Sequence, residues 1–282
     1  MRVTAIVNSK GGTGKTTTAV NLATAAALAG HRVLLVDLDK QGSATQWLNH
    51  SPDNDDLVVA LGEAQSLDPL VVQTAVEGLE LVPASITLAE TERLTREPGH
   101  QFLLRESLGR TTPRDWVFLD APGDLGALTI MALTAATDVL VPVPAGALEL
   151  DEVPKVRATI DKVRGRLNPE LRMAGVLLTQ VRVYGRHTSV LGREVGEELR
   201  KDFPTGDVLD TVVRDDNRFR EAPAWRQPMA VFDPDGRGDG ITRPMDRALD
   251  TLTDPGGTSG VRGIRGINDT LGTSGVQTSQ EP

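Results

Sequence analysis

Two lysines five positions apart in a glycine-rich run are the residues most able to do chemistry in this chain: Lys10-Gly11-Gly12-Thr13-Gly14-Lys15-Thr16-Thr17. The run follows Val3-Thr4-Ala5-Ile6-Val7, which reads as a buried strand, and precedes Ala19 to Ala29, which reads as a helix. A glycine-rich turn between strand and helix is a polyphosphate site. Its glycines let backbone N–H groups converge without a Cβ in the way, and the helix N-terminus adds partial positive charge. Lys15 would reach the β- and γ-phosphates, and the Thr16 hydroxyl would ligate Mg²⁺. The strict P-loop pattern opens on glycine where this chain has Ser9, so this is a variant with an added lysine, Lys10. A second set of groups lies at strand ends. Asp37 and Asp39 follow Val33-Leu34-Leu35-Val36, and Asp120 closes Trp116-Val117-Phe118-Leu119. An apolar run closed by aspartate is a Walker B arrangement, a hard carboxylate placed near Mg²⁺ and usually acting through water. Asp124 is expected to cap a helix starting near Leu125.

The elements that must position these groups alternate. Further strands are expected at Leu79–Val82, Val139–Val143, Ala174–Thr179 and Val208–Val213, with helices at Leu125–Ala136, Glu149–Arg166 and Val190–Asp202. Short apolar strands separated by helices predict an α/β fold, a mostly parallel twisted sheet with helices on both faces and ligands at the carboxyl ends of the strands. From Thr253 to Pro282 the chain is rich in Gly, Ser and Thr, and Gly-Thr-Ser-Gly-Val occurs at 257–261 and 272–276. Such a segment buries too little surface to offset its ordering entropy, so the expected division is a domain over residues 1–252 and a disordered tail over 253–282.

The lysine-bearing loop resembles the deviant Walker A of the ParA/MinD group of P-loop ATPases. The resemblance implies Mg²⁺-dependent ATP hydrolysis, with ATP bound by Lys10, Gly11, Gly12, Thr13, Gly14, Lys15, Thr16 and Thr17, with Lys10 and Lys15 offsetting charge in catalysis, and with Lys10 crossing a homodimer interface to the partner's nucleotide. Asp37-Leu38-Asp39-Lys40-Gln41-Gly42-Ser43-Ala44-Thr45 is similar to the family's Asp-x-Asp-Pro-Gln-Gly-x-x-Thr segment, with Lys40 in place of proline. It implies that Asp39 positions the attacking water and that Asp37 joins Thr16 and Asp120 at the metal. Asp120-Ala121-Pro122-Gly123-Asp124-Leu125-Gly126 departs from the family's Asp-x-Pro-Pro-Ser-Leu-Gly at Gly123 and Asp124. Val212 to Pro223 and Phe232-Asp233-Pro234 are similar to later family segments, and Arg218 matches a position that holds duplex DNA nonspecifically. Arg186, Arg193 and Arg220 join it as candidates on proximity and charge. The function so implied is DNA segregation with a ParB-like centromere-binding partner; a MinD-like membrane-cycling ATPase is the alternative.

Composition limits the choices. The chain of 282 residues has 39% hydrophobic residues and no cysteine, which excludes disulfides and thiolate-ligated clusters. Neither a leader nor an apolar run long enough to span a bilayer is evident, so a bacterial cytosolic, nucleoid-associated protein without membrane attachment is expected. Val261-Arg262-Gly263-Ile264-Arg265-Gly266-Ile267 is broken by glycine and lacks a continuous apolar face for a membrane surface. Net charge is −9, yet residues 155–193 carry nine Lys or Arg against two acids, a local +7 that could form a basic face. The four histidines show no metal-ligand spacing, and Trp47, Trp116 and Trp225 read as packing residues.

Overall fold

The computed structural model describes residues 1–52, 56–85, 87, 95, 98–146, 152–184, 187–203, 207–234 and 243–253. Strands β1 (Arg2–Ile6), β2 (Val33–Asp37), β3 (Val72–Gln73), β4 (Leu79–Val82), β5 (Trp116–Asp120), β6 (Asp138–Pro144), β7 (Arg172–Val181) and β10 (Val208–Arg214) form an eight-stranded sheet in the order β10-β7-β6-β1-β5-β2-β4-β3. Seven strands run parallel, and the two-residue edge strand β3 pairs antiparallel with β4. A separate hairpin joins β8 (Val183–Tyr184) to β9 (His187–Thr188).

Both sheet faces are covered, and the residues divide by alternation along each strand. Val3 and Ala5, Leu34 and Val36, and Val117 and Leu119 enter one core, whereas Ile6, Val33 and Leu35, and Trp116 and Phe118 enter the other. This two-residue period is what sends successive side chains to opposite faces. The first core is covered by α3 (Asp56–Gly62), α4 (Leu103–Arg110), α5 (Ala127–Ala135), α6 (Val153–Arg166) and α7 (Val190–Asp202). The second lies under α1 (Lys15–Leu28), α2 (Ser43–Trp47), the one-turn helices α8 (Arg218–Glu221) and α9 (Met229–Phe232), and α10 (Arg243–Thr253). Gly175 on β7 has φ of +154°, and a Cβ there would stand 2.6 Å from Leu209 Cδ2, so glycine is what allows β7 and β10 to close together.

The parallel sheet agrees with the expectation, while boundaries shift. The helix expected from Leu125 begins at Ala127, because Asp124 Oδ1 accepts the Gly126 N–H at 2.7 Å and holds a turn ahead of it. The helix expected from Glu149 is seen from Val153, residues 147–151 lying outside the described set. The expected basic face is divided. Arg172 starts β7 and bridges to Asp138, whereas Arg182 follows the other end of that ten-residue strand and approaches Asp215. At about 3.3 Å per residue these charges stand roughly 30 Å apart. Trp116 stacks on Phe118 with centroids 5.6 Å apart, and Trp47 is buried, but Trp225 is 70% exposed and packs into no core. The tail, residues 254–282, lies outside the described residues.

Candidate nucleotide site

β1 lies between β6 and β5, and the loop after it rises at the carboxyl edge of the sheet. Gly12 and Gly14 adopt φ of +75° and +90°, left-handed conformations open to glycine at little steric cost. Lys15, the first residue of α1, is buried, and its Nζ donates to Lys10 O at 2.8 Å. Burial lowers its pKa, opposed by the fields of Asp120, Asp39 and Asp124. Asn8, which carries no motif signal, donates from Nδ2 to Pro142 O at 2.7 Å and accepts the Lys10 N–H at 3.3 Å. Beyond it the Ser9 hydroxyl donates to Glu152 Oε2 at 3.2 Å. On the other side, Thr179 Oγ1 donates to Thr13 O at 2.9 Å and Gln180 Nε2 to Gly12 O at 2.7 Å. Thr179 and Gln180 escape motif reading; their place at a strand's carboxyl end is the signal that could have found them.

Asp37 and Asp120 are direct partners in the register of β2 and β5, and both are buried. Desolvation raises the Asp37 pKa to about 6 against the lowering effect of its hydrogen bonds. Burial followed by the nearby Asp37 charge pushes Asp120 well above the usual carboxylate range. Neither Asp120 oxygen has a hydrogen bond of good geometry, although the Thr16 hydroxyl lies close enough to favour its ionised form. Two adjacent buried carboxylates, one without a hydrogen bond, call for a cation. Lys15 supplies one charge, and Thr16 and Asp120 are the residues that would hold a Mg²⁺ ion beside it.

Asp37, which the sequence also offers for the metal, is engaged by hydrogen bonds from its own loop. Its Oδ2 accepts the Thr45 N–H at 2.9 Å and hydroxyl at 2.7 Å, and its Oδ1 accepts the Asp39 N–H at 3.1 Å. These bonds hold the 37–45 loop in shape. Asp39 is half-buried at the loop's edge, where Oδ1 accepts the Gln41 N–H at 3.0 Å. Its field reaches Lys15. A cavity of about 170 Å³ runs beside the loop from Gly14 and Thr17, past Thr179 and Gln180, to Asp216 and Phe219.

The DNA candidates separate. Arg218 pairs with Asp216 Oδ2 at 2.9 Å and with Asp233 Oδ2 at 2.5 Å, so its guanidinium staples α8 to the segment after α9. Arg218, expected to meet phosphate, is held here by these two carboxylates, which also explains why the 212–223 and 232–234 segments go together. Arg220 meets Asp215 at 3.2 Å while 73% exposed. Arg186 lies outside the described residues; Arg193 is on α7, its side chain likewise outside them.

A glycine-rich loop between β1 and α1 at the centre of a parallel sheet, with a buried strand-end carboxylate beside it, defines a P-loop nucleotide-binding protein. Residues 1–173 match the AAA domain family AAA_31. The chromosome partitioning protein ParA of Caulobacter vibrioides (strain NA1000 / CB15N) is 38% identical over 241 residues, covering 83% of this chain and 88% of its own. The sporulation initiation inhibitor protein Soj of Bacillus subtilis (strain 168) is 37% identical over 242 residues, covering 84% and 93%. A structure of cobyrinic acid a,c-diamide synthase from Mycobacterium smegmatis, with bound ADP and magnesium, superposes with a TM-score of 0.70 at 34% identity, covering 80% of this chain and 91% of that one. The chain belongs to the ParA/Soj family of P-loop partition ATPases.

Proposed function

We propose that ATP and Mg²⁺ join two copies of this protein face to face, that the dimer holds double-stranded DNA without regard to sequence, and that ATP hydrolysis releases it. The observation that carries the reading is the two-lysine loop set against Asp120, a buried carboxylate without a hydrogen bond. Lys15 binds the β- and γ-phosphate oxygens and exchanges its bond to Lys10 O for them. Lys10 reaches the partner's phosphates. Asp39 orients the attacking water, Lys40 beside it loosening the loop that proline would stiffen. Mg²⁺, when bound through Thr16 and Asp120, offsets charge on the phosphate oxygens. Catalysis of this kind is positioning and electrostatics, and a cationic group supplied in trans is worth about 10³ to 10⁵ in rate, so the isolated protein should be slow. The relatives' names support the partition reading, and a ParB-like partner and a cytosolic, nucleoid-associated setting are proposed with it. Among the described residues no helix is long and apolar enough to cross a membrane.

The deciding experiment measures binding to random duplex DNA and to anionic liposomes with ATP, with ADP and without nucleotide. DNA retention with ATP alone is the expected result. Liposome binding with ATP and no DNA retention would overturn it in favour of membrane cycling.

A further inference from the structure

The P-loop is held from outside by its carbonyls. Lys10 O takes Lys15 Nζ at 2.8 Å and Thr13 Oγ1 at 3.3 Å, while Gly12 O and Thr13 O are taken by Gln180 and Thr179 at the end of β7. In a trans peptide the C=O and the following N–H point in opposite directions, and the described residues include no cis peptide. Anchoring Gly12 O and Thr13 O to β7 therefore turns the N–H groups of Thr13 and Gly14 away from it. Among the described residues neither N–H has a hydrogen-bond acceptor. The fit is close: Thr179 is 3% exposed, and a Cβ on Gly14 would lie 3.4 Å from its methyl carbon. Gln180 itself has φ of +54°, a conformation that a non-glycine residue keeps only where its surroundings hold it.

We infer that Thr179 and Gln180 are positioning residues for nucleotide binding, aligning the Thr13 and Gly14 N–H groups on the phosphates before ATP arrives. This rests on the nucleotide reading above. Neither side chain need touch ATP; each acts through a carbonyl that it fixes. Thr179 is the stronger anchor because its hydroxyl bond is buried, whereas the Gln180 bond is exposed to competition from water.

The test is affinity for a fluorescent ATP analogue, with kcat and KM, in the full chain carrying Thr179→Val, Thr179→Ser or Gln180→Met. Loss of one buried hydrogen bond predicts about fivefold weaker ATP binding in Thr179→Val, and the exposed bond predicts roughly twofold to threefold in Gln180→Met. Thr179→Ser should restore affinity to within about twofold of the parent, since it keeps the hydroxyl. The change should fall on KM more than on kcat, with thermal melting without nucleotide unchanged in Gln180→Met. Parental affinity in both Thr179→Val and Gln180→Met, or equal loss in Thr179→Val and Thr179→Ser, would overturn the assignment. Failure of the parent to bind ATP would instead strike the nucleotide reading, so the two failures are separable.

Discussion

Asp37 and Asp120 hold two carboxylates on adjacent strands where water does not reach. The folded Asp37 carboxyl titrates at about 6, above the ordinary value of 3.8. Below about pH 4 both folded and unfolded states carry the proton, and this group costs the fold nothing. Between about pH 4 and pH 6 the unfolded chain ionises first, so stability falls as pH rises through that window, and above it the penalty is constant. Asp120 acts in the same direction. Melting of the parent and of Asp37→Asn, compared from pH 4 to pH 7.5 without nucleotide, should show the parent losing stability relative to the variant as pH rises. A saturating Mg²⁺–ATP analogue should shrink that difference, because a cation favours both ionised carboxylates. A difference that stays flat with pH would mean that Asp37 is ionised throughout.

Element by element, the segment from β10 to α9 joins two jobs that sequence pattern assigned to one. Arg218 ties α8 to Asp233, and the Trp47 indole N–H donates to Gln227 O at 2.7 Å, so this segment is fastened both to itself and to the helix after the Asp37 loop. Arg220 extends from α8 into solvent. Replacing Arg218 by alanine leaves Asp216 and Asp233 facing each other, and should cost on the order of 1 kcal/mol after solvent screening, lowering the melting temperature by a few degrees. Arg220→Ala should leave melting unchanged while weakening ATP-dependent DNA binding and reducing the salt slope by about one counterion. Salt titrations of DNA affinity beside thermal melts separate the two. An Arg218→Ala protein that melts normally yet loses one unit of salt slope would return Arg218 to the phosphate contacts.

For the whole molecule, the nucleotide face is complete in one respect and open in another. Lys15 is enclosed by its own chain, with Lys10 O, Asp120 and Asp39 around it. Lys15→Ala should therefore abolish nucleotide binding in a single copy. Lys10, by contrast, is an exposed residue of the loop. Lys10→Ala should keep nucleotide affinity and lose ATP-dependent association. Light scattering with an ATP analogue measures this. A Lys10→Ala protein that still doubles its mass with ATP would remove the cross-dimer role.

Local signals carried most of the architecture. The strand limits at Val33–Asp37, Leu79–Val82 and Trp116–Asp120, the helix at Val190–Asp202 and the phosphate loop itself were legible because consecutive apolar residues and glycine spacing act over a few positions. The edge strand Val72–Gln73 and the helices at Asp56–Gly62, Leu103–Arg110 and Arg243–Thr253 were not anticipated, being short or amphipathic segments stabilised by the surfaces they cover. Among the site residues, the sequence by itself marked the candidates for phosphate and metal. Only tertiary structure decided that Asp37 spends its oxygens on Thr45 and Asp39, that Arg218 spends its charge on Asp216 and Asp233, and that Thr179 and Gln180 hold the loop from 166 and 168 residues away. Motif spacing records what a side chain can do. Which partner uses it depends on strands brought side by side by burial of the two cores, and that pairing has no fixed distance along the chain.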